Sequence, residues 1–583
     1  MELKRGIPVS PGVAIATALV VETEGVRIQR RTVDKSLIAA EIAQLRMALT
    51  KASADARENQ NAISAKLGKQ YGAIFAAHAL LIDDPELVRE IEQMIAQQNN
   101  SAEYAVSLVM RRHAKALESM NQPIFSTRSS DILDIEKSIL KHLVGEQGDP
   151  LQNLREPVVI LAHDLTPSQT ANLNPKMVYA FATEAGGKAS HTAIMAGVLE
   201  IPAVVGLGRL LTDVSGGDEV IVDGDRGIVI VNPDPETRER YLVLQKQSVS
   251  FARRLDELRD LPAETKDGTR ALLMGNIEFP QEGPHCTDRG ADGVGLYRTE
   301  FLYLNKTSEP DENEQYEAYL AVLRAMGPAK PVVIRTMDLG ADKLFQVGDN
   351  HPHEKNPSLG VRSIRLCLRN LAMFKTQLRA ILRASPFGDV RIMFPMVSTL
   401  MELRQCKMIL ADVKEELEEE GYAYNRKLPV GTMIEVPSAA LMAEEMAKEV
   451  NFFSIGTNDL IQYTLAADRT NENVASLYNA GDPAVVRLID RVIQAAIKHS
   501  IEVCVCGEMS GDPIYTMLLL GLGLRQLSMT PQNIPEIKKI IRSITIEEAK
   551  QVAQEAKRFE TARDVNNYLR EQTRRILPEV VVN

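Results

Sequence analysis

One histidine, His191, follows a paired glycine and a serine in Gly186-Gly187-Lys188-Ala189-Ser190-His191-Thr192-Ala193-Ile194, where a helix is expected to open. An imidazole at that place can carry a phosphoryl group. The unpaired N–H groups of a first helical turn, with the positive end of the helix dipole, stabilise the added negative charge. Gly-Gly turns before helices are common and a histidine is more often structural, so the motif draws its weight from the second half of the chain. There Asn276, Arg298, Arg335, Met396, Glu435, Asn458 with Asp459, and Cys506 stand at the ends of short apolar runs. Arginines offer forked donors to phosphate or carboxylate, and paired carboxylates can hold a magnesium ion whose remaining positions go to phosphate oxygens and water. Singly, each has a plainer reading: a salt bridge for either arginine, a helix cap for Glu435, a small buried hydrophobe for Cys506. Jointly they suit a small phosphorylated acid.

The runs that carry these groups are Ala271–Met274, Gly293–Leu296, Val332–Ile334, Ile392–Phe394, Gly431–Ile434, Phe452–Ile455, Val503–Val505 and Arg525–Ser528. Eight strand candidates alternating with helical stretches predict a (β/α)₈ TIM barrel over residues 263–583, whose functional groups project from the C-terminal strand ends. A doubly wound open sheet would alternate similarly, but eight is the closing number of the barrel. Upstream, Ile38, Ile42, Leu45 and Leu49, and later Val106, Val109 and Met110, recur at one-face helical spacing. Residues 34–143 therefore read as an all-α unit. Short β-type runs flank it: Gly12–Val21 before, and Val158–Leu161, Val178–Ala182, Ala203–Val205, Val220–Val222 and Ile228–Val231 after. The expectation is an α/β domain of residues 1–33 and 144–232 interrupted by the helical insert. Asn232-Pro233-Asp234-Pro235-Glu236 then starts a polar linker helix within residues 233–262.

At 583 residues the chain needs more than one core, and 45% apolar with 25% charged residues is ordinary for folded multi-domain proteins. Met1-Glu2-Leu3-Lys4-Arg5-Gly6-Ile7 lacks the apolar stretch of a signal peptide, and no run is long enough to span a bilayer, so a cytoplasmic setting without membrane insertion is expected. Cys286, Cys367, Cys406, Cys504 and Cys506 are odd in number and lie in the second half only, which argues against a disulfide framework. A net charge of -11 disfavours nucleic-acid binding and leans toward a basic protein partner.

Two segments carry a family resemblance. Phe453-Ser454-Ile455-Gly456-Thr457-Asn458-Asp459-Leu460-Ile461-Gln462-Tyr463, with Arg469 after it, resembles the signature of phosphoenolpyruvate-utilising enzymes, and Gly186 to Ile194 resembles their phosphohistidine motif. Across the whole chain the likeness is to the Enzyme I branch, which opens the bacterial sugar phosphotransferase system. The resemblance implies a swivelling α/β phosphohistidine domain and a barrel that binds phosphoenolpyruvate, releases pyruvate and pairs into a homodimer. His191 would be the phosphorylated nucleophile, with Thr170 positioning its ring, although spacing alone equally allows Thr170 as a helix N-cap. Arg298, Arg335, Asn458, Asp459 and Arg469 would bind the substrate, with Arg362 a weaker phosphate contact. Glu435 and Asp459 would hold Mg²⁺, and Cys506 would protonate the departing enolate.

The same resemblance makes the helical insert the docking site of the carrier protein HPr, through His78, Leu81, Asp83, Asp84 and Arg128. A His-x-x-Leu run is also a common packing pattern, and Leu133 and Glu136 stand where the family usually has arginine and glycine. With histidine and donor pocket in different domains, hinged motion is expected to bring them together. A pyruvate,phosphate dikinase or phosphoenolpyruvate synthase would need a nucleotide-binding domain, for which neither a Gly-x-x-x-x-Gly-Lys-Ser/Thr loop nor spare length is found. The nitrogen-related paralogue would carry an extra N-terminal sensory domain, whereas residue 1 begins almost on the α/β domain. A non-catalytic regulatory relative is the remaining alternative, disfavoured because every expected catalytic residue type is in place.

Overall fold

The computed structural model describes residues 1–21, 33–34, 37–66, 69–118, 123–144, 154, 156–165, 169, 173–174, 176–187, 192, 196, 201–211, 214–303, 309–340, 356–469, 471 and 473–578. They form two compact units, Met1–Ser250 and Phe251–Asn583.

The first unit is built on strands β1 (Glu2–Arg5), β2 (Ile7–Ser10), β3 (Val13–Val21), β4 (Val158–Ala162), β5 (Val178–Thr183), β6 (Ala203–Val205), β7 (Glu219–Asp223) and β8 (Ile228–Val231). They make one sheet in the order β1-β8-β7-β3-β4-β5-β6-β2. Its centre, β3 through β6, is parallel, while β7, β8 and the edge strands β1 and β2 pair antiparallel. All of β4 is buried, and its side chains alternate between two cores, Val159 and Leu161 on one face and Val158, Ile160 and Ala162 on the other. A strand covered on both faces has to be apolar throughout, which is why its sequence shows no polar alternation.

Between β3 and β4 the described residues form five helices: α1 (Ile38–Lys66), α2 (Lys69–Ile82), α3 (Pro85–Gln98), α4 (Ala102–Glu118) and α5 (Pro123–Val144). They enclose their own core, in which Leu45, Leu49, Val106, Val109 and Met110 are buried and Ile38 and Ile42 pack at the margin. Helix α6 (Pro235–Asp256) follows β8. Its start is set by Asp234, whose Oδ1 accepts the Thr237 N–H at 2.7 Å, and by Pro235, which needs no partner for a missing N–H in a first turn.

In the second unit β9 (Leu272–Ile277), β10 (Gly293–Arg298), β11 (Pro331–Arg335), β12 (Asp389–Phe394), β13 (Val430–Ile434), β14 (Phe452–Ile455), β15 (Glu502–Val505) and β16 (Gln526–Met529) close into a barrel. Every neighbouring pair is parallel, and Gln526 of β16 lies opposite Leu272 of β9 to complete the ring. The closed ring decides against an open sheet. Leu296, Val333, Met393, Met433, Phe452 and Cys506 fill the interior, while alternate residues such as Val332, Ile334, Ile392 and Phe394 face the surrounding helices. Gly431 makes room for the Phe452 ring, since a Cβ there would lie 2.5 Å from it. Among the described residues no helix is long and apolar enough to cross a membrane.

Candidate active site

Parallel strands deliver their last residues to one rim of the barrel. Arg298 ends β10 and Arg335 ends β11; Glu435 and Cys506 are the first residues past β13 and β15. Asn458 and Asp459 lie in the first turn of the helix Thr457–Leu465 that leaves β14. Asn276, near the end of β9, is spent on structure: its Nδ2 donates to the Cys506 carbonyl at 2.8 Å and its Oδ1 accepts from Ser528 Oγ at 2.6 Å. Met396, just past β12, contributes backbone rather than side chain. Its N–H donates to Glu435 Oε1 at 2.6 Å from a left-handed conformation, φ 53°.

Arg335 is buried between two carboxylates, Glu300 at 2.7 Å and Asp338 at 3.1 Å. Burial would lower its pKa, but the charges of Glu300 and Asp338 outweigh that and hold it above the ordinary value. Asp338 also accepts from Arg362 at 2.9 Å, and Arg362 reaches Asp459 at 3.6 Å and donates to Tyr463 Oη at 3.4 Å. Burial pushes the Asp338 carboxyl up, yet Arg335 and Arg362 bring it below its usual range. Arg298 pairs with Glu278 at 2.8 Å while its buried Nε has no partner among the described residues. At the outer rim Arg469 pairs with Glu508 at 3.1 Å.

Glu435 stands apart from these pairs. It is 2% exposed, and its pKa is driven well up by burial first and by the charges of Asp459 and Asp338 next, with Arg335 and the Met396 N–H opposing. A buried carboxylate with no ion-pair partner among the described residues, beside a second one, matches a divalent cation by donor chemistry. Among the described residues of the rim, the guanidinium groups of Arg298, Arg335, Arg362 and Arg469 face the more numerous carboxylates of Glu278, Glu300, Asp338, Glu435, Asp459 and Glu508.

Cys506, 2% exposed, directs its Sγ at the Ile455 carbonyl, 3.6 Å away. Burial pushes the thiol up to about 11, against a lowering by the Ser454 hydroxyl and with a further rise from Glu435. It keeps its proton at neutral pH. The group is both the buried filler and the potential acid that its sequence position allowed.

His191 and Thr170 lie outside the described residues. Next to His191 in sequence, buried Thr192 donates to the carbonyl of Leu165, three residues beyond β4, at 3.2 Å. On the helical insert, the expected docking face divides. His78 is buried, edge-on to Phe75, with Asp131 and Asp134 3.8 and 3.9 Å from its ring nitrogens. Asp83 accepts from Ser53 and Arg57, and Asp84 caps α3 through the Glu86 N–H. Leu81 is exposed, with Leu80 beside it, and the side chain of Arg128 falls outside the described part. Glu136, buried, accepts from Ser107 at 2.7 Å and Arg111 at 3.1 Å, so it is satisfied where it stands.

Glu278, Glu300, Asp338 and Glu508 were not singled out from the sequence. Glu300 and Asp338 follow Arg298 and Arg335 by two and three residues, and a carboxylate so soon after a strand-tip arginine was the available signal. Glu278 and Glu508 gave none.

Profiles of one family cover most of the chain: PEP-utilising enzyme, N-terminal, over residues 5–128; its mobile domain over 154–227; and its PEP-binding domain over 252–546. Similar curated proteins include the phosphoenolpyruvate-protein phosphotransferase of Geobacillus stearothermophilus, 45% identical over 97% of this chain and 97% of its own length. That of Staphylococcus carnosus is 42% identical over 98% of this chain and 99% of its own. A solution structure of an Enzyme I (nEIt) protein is 41% identical, covers 42% of this chain and 99% of its own, and has a TM-score of 0.37.

Proposed function

This chain belongs to the PEP-utilising enzyme family and is a transferase with the phosphoenolpyruvate-protein phosphotransferase activity of its relatives; we propose the following residues and partners for that activity. Phosphoenolpyruvate binds at the strand-tip rim, where Arg298, Arg335, Asn458 and Arg469 receive its phosphate and carboxylate, with Arg362 and Asp459 beside them. A neutral His191 nitrogen forms the new bond to phosphorus as the bond to the enol oxygen breaks. The enolate carbon takes the Cys506 proton, giving pyruvate, and the thiol is later reprotonated from water. The phosphoryl group then leaves His191 for an acceptor, proposed to be HPr, docking on the helical insert beside the exposed Leu80 and Leu81.

Glu435 and Asp459 would hold Mg²⁺, which when bound supplies positive charge to the phosphate oxygens. The protein's own contribution is positional. Glu300 and Asp338 fix the Arg335 fork, so little reorganisation is needed as charge develops. Transfer requires the histidine-bearing unit and the barrel to meet, with α6 as the connection. A cytoplasmic protein, dimeric through its barrel, completes the reading.

The observation that carries it is a buried, charge-starved Glu435 beside Asp459 on a rim lined by arginines. The test is incubation with labelled phosphoenolpyruvate and Mg²⁺ without nucleotide. The protein should acquire an acid-labile, base-stable label that mass mapping assigns to His191 and that His191→Ala abolishes. A label that survives that substitution, or one that also arises from ATP, refutes the assignment.

A further inference from the structure

One carboxylate holds both proposed substrate-binding groups on the β14 side of the rim. Glu508, two residues beyond Cys506, accepts the Asn458 Nδ2–H and the Arg469 Nη1–H on the same oxygen, Oε1, each at 3.1 Å. Its backbone N–H donates to Asn458 Oδ1 at 2.9 Å. That backbone bond decides which way the amide lies: with Oδ1 taken by an N–H, Nδ2 must present its donors to the carboxylate. The turn beneath is closely seated. A Cβ on Gly507 would lie 1.8 Å from Thr457 Oγ1 and 2.8 Å from Thr457 N, so glycine is what lets residues 506–508 press on the start of the helix Thr457–Leu465. The carboxylate itself sits outward, the Glu508 side chain being 78% exposed and that of Arg469 41%. An ion pair so placed is weak and exchangeable.

Two donors converging on one oxygen of an exposed, flexible side chain describe an anion subsite with a protein group in it. Resting on the reading in which Asn458 and Arg469 bind substrate, we propose that Glu508 Oε1 occupies the place of a substrate oxygen and is displaced by the phosphate of phosphoenolpyruvate. Before substrate arrives, Glu508 keeps Asn458 and Arg469 turned to the rim. On displacement only its side chain swings out, because the Glu508 N–H stays on Asn458 Oδ1. Glu508 is thus a positioning residue that sets substrate affinity by competing for Arg469. Glu508→Gln keeps the shape and an acceptor oxygen but removes the competing charge.

Calorimetric titration of the full-length wild type and Glu508→Gln with inorganic phosphate, with Mg²⁺ present, tests this, alongside KM and kcat for phosphoenolpyruvate. The variant is expected to bind phosphate roughly three- to fivefold more tightly, the range that loss of an exposed ion pair allows. KM for phosphoenolpyruvate should fall by a similar factor, the change lying in KM more than in kcat. An unchanged melting temperature separates this from altered folding. Equal or weaker phosphate binding by Glu508→Gln overturns the proposal. Should neither protein be labelled by phosphoenolpyruvate, the functional reading fails, while the ratio of phosphate affinities still decides the role of Glu508.

Discussion

At the scale of single residues, chemistry here depends on how the barrel alters ordinary side chains. Cys506 is the plainest case. An exposed thiol titrates near 8.5, as an order of magnitude, and would be largely thiolate in mild alkali, whereas burial holds this one up to about 11. The acid form is the one that delivers a proton, so its supply is complete at lower pH and is lost only as pH rises through about 11. The pyruvate-forming step should therefore show no thiol-dependent decline up to about pH 9.5, followed by the ultraviolet absorbance of the thiolate in a pH titration. Cys506→Ala should slow that step by about a hundredfold or more while phosphoenolpyruvate still binds, read by single-turnover kinetics. A comparable decline at pH 8 to 9 in the wild type, traced to Cys506, would contradict the buried-acid assignment.

At the scale of elements, strand ends deliver the groups, and the loops after the same strand or the preceding one supply their partners. Arg335 ends β11, Glu300 follows β10, and Asp338 follows β11, so two adjacent strand-loop junctions build one buried clamp. Removing one member of a buried pair leaves uncompensated charge, so Glu300→Ala should destabilise the barrel by about 3 kcal/mol, measured by urea unfolding. The same change leaves Arg335 held by Asp338 alone and unpairs the Asp338 N–H, which Glu300 also accepts at 2.9 Å, so phosphoenolpyruvate affinity should fall with it. The eight barrel strands were legible because each is a short apolar run between helical stretches; β14 has the expected bounds, β16 is shifted by one residue, and others are longer, as β12, which starts at Asp389 rather than Ile392. The edge strands β1 and β2 were not foreseen. Glu2–Arg5 and Ile7–Ser10 are mostly exposed or half-buried and carry charged residues and a proline, and only pairing with β8 and β6 makes them strands.

At the scale of the whole molecule, two compact units place the histidine motif in Met1–Ser250 and the strand-tip rim in Phe251–Asn583. The barrel has its own closed sheet and continuous core, so residues 251–583 expressed alone should fold with a single cooperative unfolding transition, followed by calorimetry. Residues 1–250 alone should fold yet take no label from phosphoenolpyruvate, and labelling of that unit by itself would show that the rim is not the donor site. The sequence by itself determined the fold classes, the alternation of strands and helices in the barrel, and the kinds of residue at the strand tips. Periodicity, apolar runs and residue type are local properties that a chain carries before it folds. Closure of the barrel, the burial that starves Glu435 of charge and keeps the Cys506 proton, and the pairing of Arg335, Arg298 and Arg469 with distant carboxylates were decided only in three dimensions. Desolvation and most of this charge pairing depend on neighbours far away along the chain, which a local pattern does not record.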